Sequence, residues 1–308
     1  MTAVIEARGL VKTYGDITAV DHVDLTVEPG DVYGYLGPNG AGKTTSLRML
    51  LGLIRPSSGS ARLFGRDPMI DGVRALDGVA GFVEAPRFYP YLDGRTNLRL
   101  LAALDGGDAN TLVEETLEIV ELSGRAKDKV GGYSHGMRQR LGIAAALLRR
   151  PRLLLLDEPA TGLDPAGMRD MRALIRRLAD DGMTVVLSSH LLAEVDELCN
   201  RVAIVRRGRM VYEGELADLR RAAGATYRLR TTDDDRALAV CAGQAGIADA
   251  AQGGDGVIAF RADGDEAVAA LSLALTGAGA LIVELAPRMA SLEELFFDLT
   301  EGAEASAA

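Results

Sequence analysis

Gly37-Pro38-Asn39-Gly40-Ala41-Gly42-Lys43-Thr44 decides how the rest of this 308-residue chain is read. It fits G-x-x-x-x-G-K-[ST] at every fixed position. The glycines let backbone N–H groups turn inward around a phosphate, and a helix starting there adds its positive end. Lys43 is spaced to reach the β- and γ-phosphates of a nucleotide, and Thr44, followed by Thr45, offers a hydroxyl to Mg²⁺. Such a loop needs a strand before it and a helix after it. Val32–Leu36 is a short apolar strand behind the turn Pro29-Gly30-Asp31, and Thr45–Gly52 is compatible with a helix. This context disfavours a chance glycine turn. Lysine is scarce, four of 34 basic residues, yet one of the four stands here. The loop indicates nucleotide binding and leaves the reaction open.

Further along, Leu153-Leu154-Leu155-Leu156-Asp157-Glu158-Pro159 reads as a buried, parallel-type strand delivering a carboxylate to the C-terminal edge of a sheet. Asp157 is spaced to hold Mg²⁺, and Glu158 to accept a proton from an attacking water. Around these motifs strands and helices alternate. Val4–Leu10, Val20–Val27, Thr184–Ser188 and the hairpin Val202–Glu213 read as strands. Thr96–Leu104, Leu112–Leu122, Gln139–Arg149, Met168–Ala179 and Leu191–Leu198 read as helices. The order predicts an α/β core with a mainly parallel sheet.

With those residues in place, the sequence resembles the ATP-binding subunit of an ABC transporter over about 5–218. Gly37–Thr45 and Asp157-Glu158 match the family's Walker A and Walker B motifs. Tyr14 matches the aromatic residue that stacks on adenine. Tyr133-Ser134-His135-Gly136-Met137 matches the signature segment, usually Leu-Ser-Gly-Gly-Gln, with His135 in place of a glycine and Met137 in place of glutamine. Gly162-Leu163-Asp164 matches the D-loop, which faces the partner subunit's nucleotide, and His190 the switch histidine that touches the γ-phosphate. Glu84, in Gly81-Phe82-Val83-Glu84, stands where the family usually has glutamine, and keeps an oxygen ligand for Mg²⁺ or the water. Together with the Ser-x-Gly-Met signature and a C-terminal appendix, Glu84 places the resemblance in the bacitracin- and lantibiotic-export branch.

The resemblance implies a P-loop ABC ATPase core over 1–224, with a helical insert at about 86–140. Its cofactors are ATP and Mg²⁺. Catalysis falls to Glu158, His190 and Glu84, and metal binding to Thr44, Asp157 and Glu84. It implies a head-to-tail dimer, in which each ATP lies between Gly37–Thr45 of one copy and Ser134, Gly136 and Asp164 of the other. A separate membrane permease would dock near Glu84 and the insert, holding the chain at the cytoplasmic face of the membrane. The expected work is export of a drug, antibiotic or peptide. One alternative is a soluble ABC ATPase in DNA repair or translation; such proteins usually carry two ATPase units or coiled-coil insertions. Another is a non-hydrolysing ATP switch, which Lys43, Asp157, Glu158 and His190 argue against.

Composition sets the remaining bounds. Half the residues, 48%, are hydrophobic, and 25% are charged, as in ordinary globular proteins. The net charge of −10 argues against a nucleic-acid partner. Residues 225–308 hold 5 Arg, no Lys and 14 Asp or Glu, a net −9, whereas 1–224 hold 29 basic and 30 acidic residues. This predicts a seam near Gly224 and a small acidic α+β accessory domain, 225–308, ordered βαβαβα. Asp233-Asp234-Asp235 reads as a turn and helix N-cap, and Ser291 with Glu294 as a capping box. Cys199 and Cys241 match no metal spacing and read as free thiols. The N-terminal stretch shows no apolar signal core. Ala267–Val283, uncharged but broken by Gly277 and Gly279, is too short to span a bilayer.

Overall fold

Residues 3–222, 225–253, 256–288, 291–297 and 299 are described by the computed structural model. By its internal contacts the chain divides into Met1–Glu215 and Leu216–Ala308. Gly224, the seam suggested by charge, lies outside the described residues; the division falls ahead of it.

The first unit opens with β1 (Ile5–Tyr14), β2 (Ile17–Val27), β3 (Val32–Leu36), α1 (Lys43–Leu50), β4 (Ser58–Leu63) and β5 (Val79–Phe82). Then come α2 (Gly94–Asp105), α3 (Val113–Ile119) and α4 (His135–Leu147). It closes with β6 (Leu153–Asp157), α5 (Pro165–Asp180), β7 (Thr184–Ser189), α6 (Leu192–Leu198), β8 (Arg201–Arg206) and β9 (Arg209–Glu215). Two sheets result. The six-stranded one is ordered β5-β6-β7-β3-β8-β9, parallel except for β9. Its central strands β6 and β7 are buried at every position, which is why Leu153–Leu156 and Thr184–Leu187 are near-continuous apolar runs. The second sheet, β2-β1-β4, is antiparallel. Ile5, Ala7 and Leu25 from it pack with Tyr33, Tyr35, Leu47 and Leu155 in one core. Such alternation of buried and exposed positions is what a half-covered antiparallel sheet requires.

The helices start where their caps dictate. Asp93, Ser134 and Asp164 each accept a hydrogen bond from the backbone N–H three residues on, opening α2, α4 and α5. Several helices differ in extent from expectation; α5, for one, begins at Pro165 rather than Met168. The one expected over Leu112–Leu122 is confined to Val113–Ile119, preceded by the 3₁₀ turn Ala109–Leu112. α4 begins at His135, four residues earlier than Gln139, because Ser134 caps it there.

The second unit holds α7 (Leu216–Ala222), β10 (Ala225–Thr231), α8 (Asp234–Gly243), β11 (Ile247–Gln252), β12 (Ile258–Ala262), α9 (Asp265–Gly277), β13 (Ile282–Arg288) and α10 (Leu292–Phe297). Its antiparallel sheet is ordered β11-β12-β10-β13. Leu229, Phe260, Leu271 and Leu275 form its own core, with the Tyr227 and Phe260 rings stacked 5.5 Å apart. The βαβαβα order expected for this region lacked β11, so the expectation is corrected by one strand. Ile247-Ala248-Asp249-Ala250-Ala251-Gln252 is poor in the β-branched and aromatic residues that mark strands. It forms at the sheet edge, paired to β12 across a register shift. None of the described helices is long and apolar enough to cross a membrane.

Candidate nucleotide site

Neighbouring strands bring the site together. β6, β7 and β3 lie side by side, with Asp157 opposite Ser188 and Leu36 opposite Ser189. Their C-terminal ends therefore deliver three segments to one place: the glycine loop after β3, Asp157-Glu158 at the end of β6, and His190 after β7. This is the edge at which ligands bind in open α/β sheets.

Gly42 turns the loop into α1 with φ of 100°, and a Cβ there would lie 2.3 Å from the Ala19 carbonyl oxygen. Only glycine fits. Lys43, the first residue of α1, is 5% exposed; its Nζ donates to the carbonyl oxygens of Gly37 at 2.8 Å and Pro38 at 3.3 Å. Ala41 is buried, its N–H bonded to the Pro38 carbonyl. Asn39, Gly40, Gly42, Lys43, Thr44, Thr45 and Glu158, with Ala19, line a recess of about 210 Å³. A larger hollow of about 820 Å³ is bordered by Pro29, Arg152 and Thr184. These residues precede or begin strands, so that hollow lies at the opposite sheet edge, away from this chemistry.

The acidic pair is tightly held. Thr44 Oγ1 donates to Asp157 Oδ2 at 2.8 Å, and Ser188 Oγ donates to Asp157 Oδ1. The same Ser188 oxygen accepts the Glu158 backbone N–H at 3.0 Å. Glu158 adopts φ of 47°, a conformation that costs a non-glycine residue energy and is found at functional turns. Its carboxylate receives the Thr161 hydroxyl at 2.8 Å and lies 3.2 Å from Lys43 Nζ and 3.1 Å from His190 Nδ1. Burial pushes this carboxyl up, but Thr161 and Lys43, helped by His190, outweigh it and hold it below its ordinary value. The group is thus kept as a carboxylate, able to accept a proton.

Other expected site residues stand apart from this cluster. Tyr14 closes β1, 48% exposed, with the Lys12 ammonium 5.1 Å from its ring centroid. Ser134, Gly136 and Asp164 line a separate hollow of about 540 Å³ with His135 and Gly162. Ser134 Oγ caps Met137 N at 3.2 Å, and Asp164 Oδ1 caps Gly167 N at 2.9 Å. Glu84 follows β5, a strand that runs in register with β6, Phe82 opposite Leu156. It has φ of 72°, and its carboxylate pairs with Arg48, one helical turn beyond Thr44 on α1. A carboxylate attracts a guanidinium in a way that a glutamine amide would not.

The family described as ABC transporter matches residues 20–161. A bacitracin transport ATP-binding protein of Bacillus licheniformis is 40% identical over 259 residues, 84% of this chain and 85% of that protein. The chain belongs to the ATP-binding subunits of ABC transporters. A daunorubicin resistance ATP-binding protein of Streptomyces coeruleorubidus is 37% identical over 96% of this cassette subunit and 95% of its own length. Among solved structures, a dimeric ATP-binding cassette in a post-hydrolysis state with ADP and phosphate is 25% identical, with a TM-score of 0.62, covering 69% of this chain and 98% of that one.

Three residues of the cassette escaped the sequence reading: Ser188, Thr161 and Arg48. Ser188 joins Asp157 to Glu158, Thr161 holds the Glu158 carboxylate, and Arg48 takes Glu84. Ser188 is completely buried at the end of an apolar strand, and that placement was its one signal. Nothing local in the sequence marks Thr161 or Arg48.

Proposed function

We propose that this chain hydrolyses ATP and that the hydrolysis powers export of a drug, antibiotic or peptide through a separate membrane permease. One observation carries the hydrolytic reading: Glu158, kept ionised, is held by Thr161, Lys43 and His190 beside the phosphate-binding loop. A water lined up on the γ-phosphorus gives a proton to Glu158 as its oxygen forms the new P–O bond, and the bond to the β-phosphate oxygen breaks to release ADP. Lys43 offers its charge to the β- and γ-phosphates, and His190 is positioned by Glu158 to contact the γ-phosphate. The paired Thr44 hydroxyl and Asp157 carboxylate suit Mg²⁺, which is commonly held by one or two protein oxygens plus phosphates. The ion would supply neutralisation of phosphate charge.

Ser134, Gly136 and Asp164 line a hollow separate from the recess at Lys43, and they are read as serving a second copy, docked head to tail with two-fold symmetry. The dimeric relative supports it. Export as the direction of transport is supported by the bacitracin and daunorubicin relatives. Peripheral attachment at the cytoplasmic face then follows from docking on the permease. Residues 225–308 are read as an accessory domain of that assembly.

Glu158→Gln is the test. It keeps the shape of the side chain and removes the base. ATP binding should persist, the dimer should accumulate by light scattering, and phosphate release should fall about 10²–10⁴-fold. Phosphate release near the wild-type rate would falsify the assignment. Recovery of an integral membrane protein with the chain, purified from its own membranes, checks the permease.

A further inference from the structure

We propose that His135 is a positioning residue that couples the two ATP sites of the dimer, tying the signature helix to the catalytic carboxylate; the proposal rests on the hydrolytic reading above. His135 is the first residue of α4 and half-buried. Its Nε2 lies 3.0 Å from the Thr161 carbonyl oxygen. A carbonyl only accepts, so Nε2 carries the hydrogen. The hydroxyl of this same Thr161 donates to Glu158 Oε2 at 2.8 Å. Two hydrogen bonds through one residue thus run from the start of α4 to the proton acceptor. The glycine usual at this place has no side chain to make the first of them.

The surroundings hold the ring in position. A Cβ built on Gly162 would lie 3.5 Å from His135 Nε2, so the loop packs against the imidazole edge. Gln139, one turn along α4, puts its amide nitrogen 3.5 Å from Nε2, while its buried Oε1 has no hydrogen-bond partner among the described residues. Turning that amide over places the oxygen before the Nε2 hydrogen and supplies a second acceptor.

In the two-fold dimer, Ser134–Met137 addresses the nucleotide of the partner, and Glu158 addresses the nucleotide of its own subunit. A shift of the α4 N-terminus on meeting one γ-phosphate is passed by His135 and Thr161 to the Glu158 of the other site. That is coupling between two distinct sites through a contiguous set of bonds. His135 is placed to act through Glu158 rather than on the nucleotide, so its loss should appear in kcat and cooperativity rather than in ATP affinity.

The experiment is steady-state hydrolysis by the full-length protein over a range of ATP concentrations, with equilibrium binding of a fluorescent ATP analogue measured alongside. For His135→Gly we expect affinity within about twofold of wild type, kcat lower by about tenfold, the rate equivalent of one hydrogen bond, and a Hill coefficient falling towards 1. His135→Gln keeps an N–H donor at the same reach and should restore both kcat and the Hill coefficient. Thr161→Val cuts the second bond; it should slow the wild type about tenfold and add little to the glycine variant. Wild-type kcat and cooperativity in His135→Gly, or a glutamine variant as slow as the glycine one, overturns the coupling. If the glycine variant does not fold, His135→Leu, which keeps bulk and has no donor, decides beside His135→Gln: a slowed kcat at unchanged affinity in the leucine variant alone supports the link, and an unchanged kcat ends it. A wild-type chain without ATPase activity overturns the hydrolytic reading itself, an outcome distinct from these.

Discussion

At the residue scale, Gly81 shows how little freedom the site strand has. It sits in β5 with φ of 151°, and a Cβ there would lie 1.8 Å from the Leu155 carbonyl oxygen on β6. Backbone cannot yield as a side chain does. Gly81→Ala should destabilise the protein by about 1–3 kcal/mol or more, read as a lower urea midpoint; an unchanged midpoint would show that β5 can move. Glu194 makes a second case. It is 4% exposed, accepts the Ser189 hydroxyl at 2.9 Å, and burial raises its carboxyl above the ordinary value of 4.5. The folded state therefore favours the neutral acid. Stability from this group is full below about pH 4.5 and is lost as pH rises through the raised value. Glu194→Gln removes that dependence, so the variant should gain on the wild type in denaturation midpoint between pH 4 and pH 8. Parallel midpoints would contradict the buried-acid account. Much of the candidate site was legible at this scale, because Lys43, Thr44, Asp157 and Glu158, which the fold brings together, stand in short motifs visible in the sequence. Thr161 and Ser188 were not, since a hydroxyl's partner is chosen by the tertiary fold.

At the scale of elements, caps carried the readable information. Asp233 accepts the Arg236 N–H at 3.1 Å and opens α8, while Asp234 accepts both the N–H and the hydroxyl of Thr231. The Asp233-Asp234-Asp235 run is therefore a turn and helix start, as its sequence suggests. Asp233→Ala should cost about 1 kcal/mol, measured by denaturation of the full chain. Adding millimolar Mg²⁺ or Ca²⁺ should move the wild-type and variant midpoints equally; a shift confined to the wild type would mean that the run holds a cation. The capping box is present too, with Ser291 N bonded to Glu294 Oε2 and Glu294 N to Ser291 Oγ. β11 was illegible for the opposite reason. Its alanine-rich residues show no apolar alternation, and its strand state comes from pairing with β12, information that lies ten residues away in the chain.

At the scale of the whole molecule, charge and packing place the division differently. The excess of acidic side chains begins after Gly224, but the units separate at Glu215 and Leu216. α7 causes the difference. Its composition is near neutral, and charge counting cannot see that it packs with α10 of the second unit. Leu216 and Leu219 on α7 are 4% and 6% exposed. A chain cut at Gly224 keeps α7 and loses α10, whereas a chain ended at Glu215 carries neither. The first unit retains the whole of its sheets and the Lys43–Glu158 cluster in both. Truncation at Glu215 should therefore leave ATP affinity within about twofold and give a sharp thermal transition, as a domain with its own core does. Truncation at Gly224 should aggregate more by light scattering, because two leucines and their helix lose a packing partner. Better behaviour of the longer fragment would assign α7 to the nucleotide-binding unit and return the seam to where the charge changes.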